Sequence, residues 1–377
     1  TIPNSVISIA DSAFQNCTNL VNIELPSSVT SIGLSAFKNC TNLGYISLPL
    51  NLTKIGESAF EGCTNMFISN PNIKASEIGE NAFKNCDEFR YSFKEDGDGV
   101  INYIDGTLSL NKITCINKNT FYGCKKLKDI KFNNDITTIG EGAFYNCPLK
   151  SLTLPKNLET IGDSAFAFDI YSDNDSIDIS IPNNVETIGE KCFMNSNLSK
   201  LDIESGSKLK EIKKYAFYGC NKLTKANMSN ATNVNTIEKY TFERCSKLKT
   251  VELPNSIKYI RYRAFCLCNK LSKITLPLNL LELEHNCLAT NSKTNIYITT
   301  PQLVNTTYSP PKFTMHNINF DSPAFIYNDD SIYIYPFGKI YYFIYYSYCI
   351  KPQKEKKKIN VIPRKKNQKR IYYIFIK

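Results

Sequence analysis

The sequence predicts an α/β solenoid of about 12 units of about 23 residues, because three residue types recur in register along most of the chain. One is an aromatic column, and the second is an Ile or Leu five residues before each aromatic. The third is a small residue directly before it. The aromatic column consists of Phe14, Phe37, Phe60, Phe83, Phe121, Phe144, Phe166, Phe193, Phe217, Phe242 and Phe265, and ends in Leu288.

Each unit is predicted to contain a short strand with one buried side. Apolar and polar residues alternate in segments such as Ile23-Glu24-Leu25, which places alternate side chains on opposite faces. Because Pro has no N–H to donate, it ends strand pairing and turns the chain. Pro follows the strand at Pro26, Pro49, Pro155, Pro182, Pro254 and Pro277.

A bend and a short helix are predicted next in each unit. Gly56 is typical of the bend, and Glu57 after it suits the positive end of a helix dipole. The helix is predicted to carry Ala59 and Phe60 inward and to end at Gly62, before Cys63. Asn or Gly at this last position takes the left-handed conformation readily.

Stacking of these units is predicted to supply the core that one unit lacks. The Ile, Phe and Leu columns become continuous apolar ladders, and the strands pair into one parallel sheet on the concave face. The repeats are predicted to occupy residues 1–300 and to form a rod or arc roughly 55 to 60 Å long, given about 4.8 Å between strands.

The pattern L-x-x-I-x-L-P-x-x-V-x-x-I-G-x-x-A-F-x-x-C resembles the BspA-like (Treponema-type) leucine-rich repeat. Leu48, Pro49, Ile55, Phe60 and Cys63 fit it within one unit. The resemblance implies a parallel-sheet solenoid in a surface or secreted protein that adheres to matrix, host or neighbouring cells. It implies no catalytic residues. The sequence departs from the pattern where later units replace the bend Gly with Lys213, Glu238, Arg261 and Glu284.

The positive charge of the chain is concentrated at its end. The net charge is +10, and residues 351–377 alone hold 11 Lys and Arg against one acidic residue. The remaining residues sum to zero, so no nucleic-acid partner is expected. Nine of the 14 Cys form one repeat column, which favours buried free thiols over scattered disulfides and zinc sites.

An insertion of about residues 91–105 lengthens one repeat spacing to 38 residues. Asp96, Asp98 and Asp105 there resemble part of an EF-hand calcium loop, but Lys94 stands at the first ligand position. We expect a hairpin of Tyr91–Phe93 against Val100–Ile104 with an Asp-Gly turn, and no metal site.

Three different segments are predicted after the repeats. Residues 301–330 are predicted to cap the open end of the solenoid. Residues 331–350 are rich in Tyr and Ile. They resemble a membrane anchor at 332–350 followed by a positive flank, although Pro336, Lys339 and seven Tyr speak against a span. Residues 351–377 are predicted to be a disordered basic tail.

The sequence favours binding over catalysis. It contains only two His, and neither stands in a metal-ligand spacing or beside a nucleophile motif, so no enzyme activity and no cofactor are expected. The partner is expected to be a protein or glycan, and the location the cell surface or outside the cell. The alternative is a cytoplasmic scaffold for protein–protein interaction. Candidate binding residues on the outward strand positions are Glu24, Tyr45, Ser47, Lys131, Thr153, Asp202, Lys225, Glu252 and Lys273.

Overall fold

The structure is a computed structural model that describes most of the predicted solenoid. The described residues are 2–69, 72–89, 91–94, 101–104, 107–170, 175–277, 279–284, 286–288, 295–298, 332–334, 360–361 and 372–375. They form a parallel-sheet solenoid of about 10 turns of ~23 residues. The figure of twelve units is not confirmed. At one end the ring of Phe14 is only partly buried, and at the other end residues 289–294 lie outside the described part.

A typical turn contributes two strands, one to each side of the solenoid. We call the strands that carry the predicted binding residues the front strands and those that carry the Ile-Gly column the back strands. The front strands are Ile23–Glu24, Tyr45–Ser47, Phe67–Ile68, Asn72–Ile73, Tyr91–Lys94, Thr107–Leu110, Asp129–Phe132, Ile177–Ile181, Leu198–Ile203, Lys225–Asn227, Thr250–Glu252, Lys273–Leu276 and Asn295–Ile298. The back strands are Ser8–Ile9, Ser31–Ile32, Lys54–Ile55, Glu77–Ile78, Cys115–Ile116, Thr138–Ile139, Thr160–Ile161, Thr187–Ile188, Glu211–Ile212, Thr236–Ile237, Tyr259–Ile260 and Glu282–Leu283.

The front strands pair in parallel, as predicted, but they do not form one continuous sheet. They divide into groups of five, three and six strands, where the group of five includes Ile101–Ile104. One interruption lies at the insertion, where Tyr91–Lys94 pairs antiparallel with Ile101–Ile104. This pairing confirms the predicted hairpin. Its turn, with Asp96 and Asp98, lies outside the described residues, and so does Asp105 after the second strand.

The predicted helix is absent from every turn that the structure describes, so the α/β class is corrected to a β-solenoid. The reason is that successive backbone N–H groups alternate between a bond within their own turn and a bond to the next turn. Between Gly56 and Cys63, the N–H of Ala59 bonds within its own turn, to Gly56 O. The N–H of Ser58 and of Phe60 bonds to the next turn instead. Ser58 also has a φ of 53°, which interrupts a right-handed helix.

The residue before Cys has the left-handed conformation that the sequence predicts. Asn39 has a φ of 60° and Gly62 a φ of 76°. The bend Gly has a different role from the one expected, because it is required for close stacking. A Cβ on Gly189 would lie 2.4 Å from the carbonyl carbon of Gly162 in the preceding turn. Glycine therefore sits here because adjacent backbones approach each other too closely for a side chain.

The core is a ladder of stacked phenylalanine rings. Successive rings from Phe14 to Phe265 lie 5.1 to 5.5 Å apart between centroids, with planes within 9° of parallel. Because strands repeat about every 4.8 Å, these rings stack with a small offset, the arrangement that aromatic pairs prefer. The ladder thus connects each turn to its two neighbours.

A second ladder consists of cysteine thiols. In eight turns the Sγ–H donates to the carbonyl oxygen of the column Phe one turn earlier, at 2.9 to 3.1 Å. Among the described cysteines none forms a disulfide, and nearly all are buried, which confirms the prediction of buried free thiols. The sulfur therefore satisfies a carbonyl inside the core.

Three further strands lie beyond residue 300, where no repeat was predicted. Ile332–Ile334 and Asn360–Val361 each pair antiparallel with Tyr372–Phe375. The rest of the predicted cap, anchor and tail lies outside the described residues. In the part of the chain that is described, no helix is long and apolar enough to cross a membrane.

We expect the Phe144→Ala variant to lose about 3–5 kcal/mol of unfolding free energy, because it removes a ring from the middle of the ladder and leaves a cavity. Urea unfolding followed by circular dichroism measures this loss. The control is Ile170→Ala, because that side chain is 79% exposed. An equal effect of both substitutions would contradict the role given to the ladder.

We expect stability to fall as the pH rises above about 9. Burial raises the pKa of the Cys86, Cys192 and Cys268 thiols above the ordinary value of 9.0. Their stabilising effect is therefore complete below that pH. Above it the unfolded chain loses thiol protons that the folded chain keeps, which costs about 1.4 kcal/mol per pH unit for each thiol.

Urea midpoints measured from pH 7 to pH 10.5 test this dependence. The control is Cys86→Ala, which should have a shallower decline than the parent chain because one such thiol is gone. A midpoint that is flat across the range would contradict the proposed linkage.

Candidate functional site

The predicted binding residues on the front strands share one face of the solenoid. Glu24 lies beside Ser47, and Asp202 beside Asn227, in parallel register. On later strands Lys225 lies beside Thr250 and Glu252 beside Asn227, and Lys225 is half-buried while Glu252 is exposed. The parallel register therefore places these side chains in columns along the front face.

The remaining predicted residues fit this face less uniformly. Lys131 lies on a front strand, but Thr153, although exposed, lies outside any strand. Lys273 pairs with Thr250 through its backbone, and its side chain lies outside the described part. Tyr45 contacts Phe67 edge to face at 5.9 Å. The front face is thus continuous over the later turns and interrupted in the middle.

Ion pairs between adjacent turns neutralise part of the front face. Lys225 Nζ lies 3.2 Å from Glu252 Oε1 of the next turn. Lys200 donates to Asp178 at 2.7 Å, and this hydrogen bond lowers the pKa of Asp178 and raises that of Lys200. These pairs are largely exposed, so each contributes little to stability. The positions of these ion pairs along the front face determine which charges remain available to a partner.

A second candidate surface lies on the turns between back and front strands, and sequence reasoning missed it. We call it the Tyr/Arg patch and define it as Tyr215, Tyr218, Tyr240, Arg244, Tyr262 and Arg263. Its members contact one another through their rings and guanidinium groups, across three successive turns.

The ring contacts in the Tyr/Arg patch are close. Tyr215 stacks on Tyr240 at 4.5 Å, and Tyr240 meets Tyr262 edge to face at 5.4 Å. The guanidinium of Arg244 lies 5.9 Å from the Tyr218 ring, and that of Arg263 lies 6.0 Å from the Tyr262 ring. Tyr and Arg are the side chains most enriched in the energetically dominant positions of protein interfaces.

One buried carboxylate forms an ion pair with an arginine of the Tyr/Arg patch. Glu243 is 3% exposed and lies 2.6 Å from the guanidinium of Arg263. Burial raises the pKa of Glu243, while the charges of Arg263 and Arg244 lower it. The ion pair therefore fixes Arg263 in place while leaving the patch with an excess of cationic groups.

The sequence contains a signal for this patch, namely a change of residue type within one repeat column. The signal can be interpreted only when the backbone angle of that column is known. Tyr215, Tyr240 and Arg263 occupy a column whose earlier members include Ser12, Ser35, Ser58 and Asn81. All of these residues have φ between 52° and 63°. Tyr and Arg are unusual at this positive φ, but without knowing the angle a change from Ser to Tyr at the surface does not stand out.

The described residues contain no group of three or more His, Cys, Asp or Glu side chains that could hold a metal ion. The calcium-loop residues Asp96, Asp98 and Asp105 lie outside the description, so the prediction about them stays untested. Within the described turns, the chemistry of both surfaces is that of hydrogen bonds and charge.

Comparison with known proteins supports this solenoid. The structure is similar to a leucine-rich repeat protein from Bacteroides ovatus, with 26% identity and a TM-score of 0.55 over 78% of this chain and 76% of that one. It is also similar to a leucine-rich cell surface protein from Faecalibacterium prausnitzii, with 21% identity and a TM-score of 0.46 over 79% and 84%. No curated protein matches the sequence.

The model of the BspA-type leucine-rich repeat region matches residues 1–96, 105–224 and 168–295 in six copies. These ranges span well over half of the chain and coincide with the repeated turns. The resemblance seen in the residue columns is therefore confirmed, and the chain belongs to the family of BspA-type leucine-rich repeat proteins.

Proposed function

We propose that this chain is a non-catalytic binding protein that works outside the cell, at the cell surface or secreted, in the manner of an adhesin. The observation that carries the binding role is the front face, where polar and charged side chains recur in register on many of the described strands. A repeated surface of this kind suits a partner that is itself extended. Membership of the BspA-type family is consistent with protein binding.

The partner of the front face is proposed to be a protein or a glycan, held by many weak contacts. The face carries small and charged side chains such as Ser47, Asp202 and Glu252, and its only predicted aromatic is Tyr45. Such side chains rarely provide strong single contacts. Several weak contacts along one rigid rod raise the overall affinity through effective concentration.

Surface display is proposed on the family resemblance and on the sequence after the repeats. Attachment to a membrane through residues 332–350, with the Lys-rich residues 351–377 on the inner side, stays a prediction. It would require the pairing of Ile332–Ile334 with Tyr372–Phe375 to be lost in the membrane. The second candidate is a cytoplasmic scaffold with the same fold. The buried free thiols favour it equally, because a thiol sealed in the core is stable in either compartment.

We expect repeat peptides to be released when intact cells that produce the full-length protein are treated briefly with trypsin. Mass spectrometry identifies the released peptides, and a cytoplasmic marker protein reports any lysis. Recovery of residues 1–300 without the marker would support surface display. Recovery only after lysis would contradict it and favour the scaffold.

We expect a reversal of charge on the front face to reduce adhesion by at least about tenfold, because it replaces three outward carboxylates of the proposed contact surface. The probe is a bead coated with the full chain, and the surface is a basement-membrane extract. The variant combines Glu24→Lys, Asp202→Lys and Glu252→Lys.

The matched control combines Glu57→Lys, Glu159→Lys and Glu211→Lys, which reverses three exposed carboxylates on the other side of the solenoid. It changes the net charge equally and should leave adhesion within about twofold of the parent chain. Equal loss in both variants, or no adhesion of the parent chain, would contradict the proposed face.

A further inference from the structure

The net charge differs in sign between two parts of the solenoid, although the net charge of the whole solenoid is close to zero. Residues 1–204 contain 16 Lys and Arg and 25 Asp and Glu, a net charge of −9. Residues 205–270 contain 14 Lys and Arg and four Asp and Glu, a net charge of +10. All residues of this second segment are described, and they form three consecutive turns that also carry the Tyr/Arg patch.

Five lysines of this segment flank the patch residues in the sequence. In each turn they come directly before the patch residues in the chain or shortly after them. They are Lys214, Lys222, Lys239, Lys247 and Lys270. Acidic side chains in contact with this region are Glu243, which lies 2.6 Å from Arg263, and Glu190, which lies 3.3 Å from Lys214. A third, Glu284, accepts a hydrogen bond from the N–H of Tyr262 at 2.8 Å. Lys and Arg in residues 205–270 nevertheless outnumber the acidic residues by ten, so the three turns that carry the patch have a net positive charge.

The backbone at the patch argues against a purely structural reason for its residues. Tyr215, Tyr240 and Arg244 have φ values of 61°, 63° and 61°. Bulky residues are outliers in this left-handed region, whereas Asn and Gly adopt it readily. The equivalent positions of earlier turns are occupied mostly by Ser, Asn and Gly. Departures from a local rule of this kind mark functional positions.

The shape of the patch restricts the class of partner. Tyr215 has one ring face against Tyr240 at 4.5 Å, and Lys191 Nζ lies 5.9 Å from its centroid. Both faces of the Tyr215 ring thus have a neighbour, whereas single-stranded nucleic acids depend on open ring faces for stacking. What the patch offers is guanidinium and ammonium groups, whose geometry suits carboxylates, held beside rigid tyrosine rings.

We infer that the Tyr/Arg patch and its flanking lysines bind an acidic segment of a protein partner. This inference rests on the proposed binding function and assigns it a second surface, on the turns, distinct from the front face. The contact would be fast and salt-dependent, because a cationic surface steers an anionic partner. The tyrosines would supply the contact area that keeps the complex from dissociating.

The test uses the full chain and a fluorescein-labelled poly-L-glutamate peptide, with binding followed by fluorescence polarisation at low salt. The variant combines Tyr215→Asn, Tyr240→Asn and Arg244→Asn. Asn tolerates the left-handed backbone at all three positions, so this variant is expected to keep or raise the Tm of the parent chain. We expect the Kd for the peptide to rise by at least about tenfold.

Two control variants separate this surface from others. Lys112→Asn removes one positive charge from an exposed position outside both surfaces, as Arg244→Asn does from the patch, and should change the Kd less than about twofold. The front-face variant with three Glu or Asp→Lys changes should bind the peptide at least as well as the parent chain. If this variant loses adhesion but still binds the peptide, the two surfaces act independently. The front-face proposal can then fail while the patch inference holds, and the reverse.

Carbodiimide coupling addresses the basic residues 351–377, which also attract an acidic peptide. It joins carboxylates to lysines in contact with them, and mass spectrometry then maps the coupled sites. We expect coupling at Lys214, Lys239 and Lys247. Coupling only within 351–377, or an unchanged Kd in the Asn variant, would overturn the inference.

Two further probes test the class of partner. The same variant is titrated with dextran sulfate and with a single-stranded oligodeoxynucleotide. A greater loss of affinity for either polyanion than for the peptide would overturn the assignment to an acidic protein segment. Sedimentation velocity of the chain alone completes the test, since self-association that is lost in the Asn variant would identify a second copy as the occupant.

Discussion

The structure depends on one constraint, namely that each turn must bury its apolar face against an equivalent turn. A single phenylalanine such as Phe144 has no core within its own 23 residues and becomes buried only between Phe121 and Phe166. Stability is then close to a sum of contacts between neighbours. A column tolerates change only where the replacement still fits between the turns on either side, which is why inward positions vary little and outward ones vary freely.

Close stacking also explains why polar backbone groups can lie inside this core. Turns approach so closely that alternate N–H groups reach the next turn, and the thiol of Cys86 reaches the carbonyl of Phe60. Each bond satisfies a group that would otherwise be buried without a partner, which is costly. The same alternation forces certain residues into the left-handed region and prevents a helix. Hydrogen bonding between turns thus replaces hydrogen bonding within an element.

The two candidate surfaces follow from the same geometry. Parallel register converts a sequence repeat into columns of side chains, so one changed residue per unit alters a whole strip of the surface. On the front face this strip mixes charges, and pairs such as Lys225 and Glu252 partly cancel. On the turns, three successive units change together and produce the Tyr/Arg patch. Function in such a solenoid therefore depends on departures from the repeat rather than on the repeat itself.

The sequence by itself determined the repeat, the inward columns, the buried thiols and the family, because apolar periodicity reports directly which side chains are buried. It also identified the outward positions of the front strands, such as Glu24 and Asp202. Only the tertiary structure decided that the segment around Ser58 is not a helix and that the sheets are interrupted. It alone brought Tyr215, Tyr240 and Tyr262 together. These features depend on contacts between residues more than 20 positions apart, which local propensity does not contain.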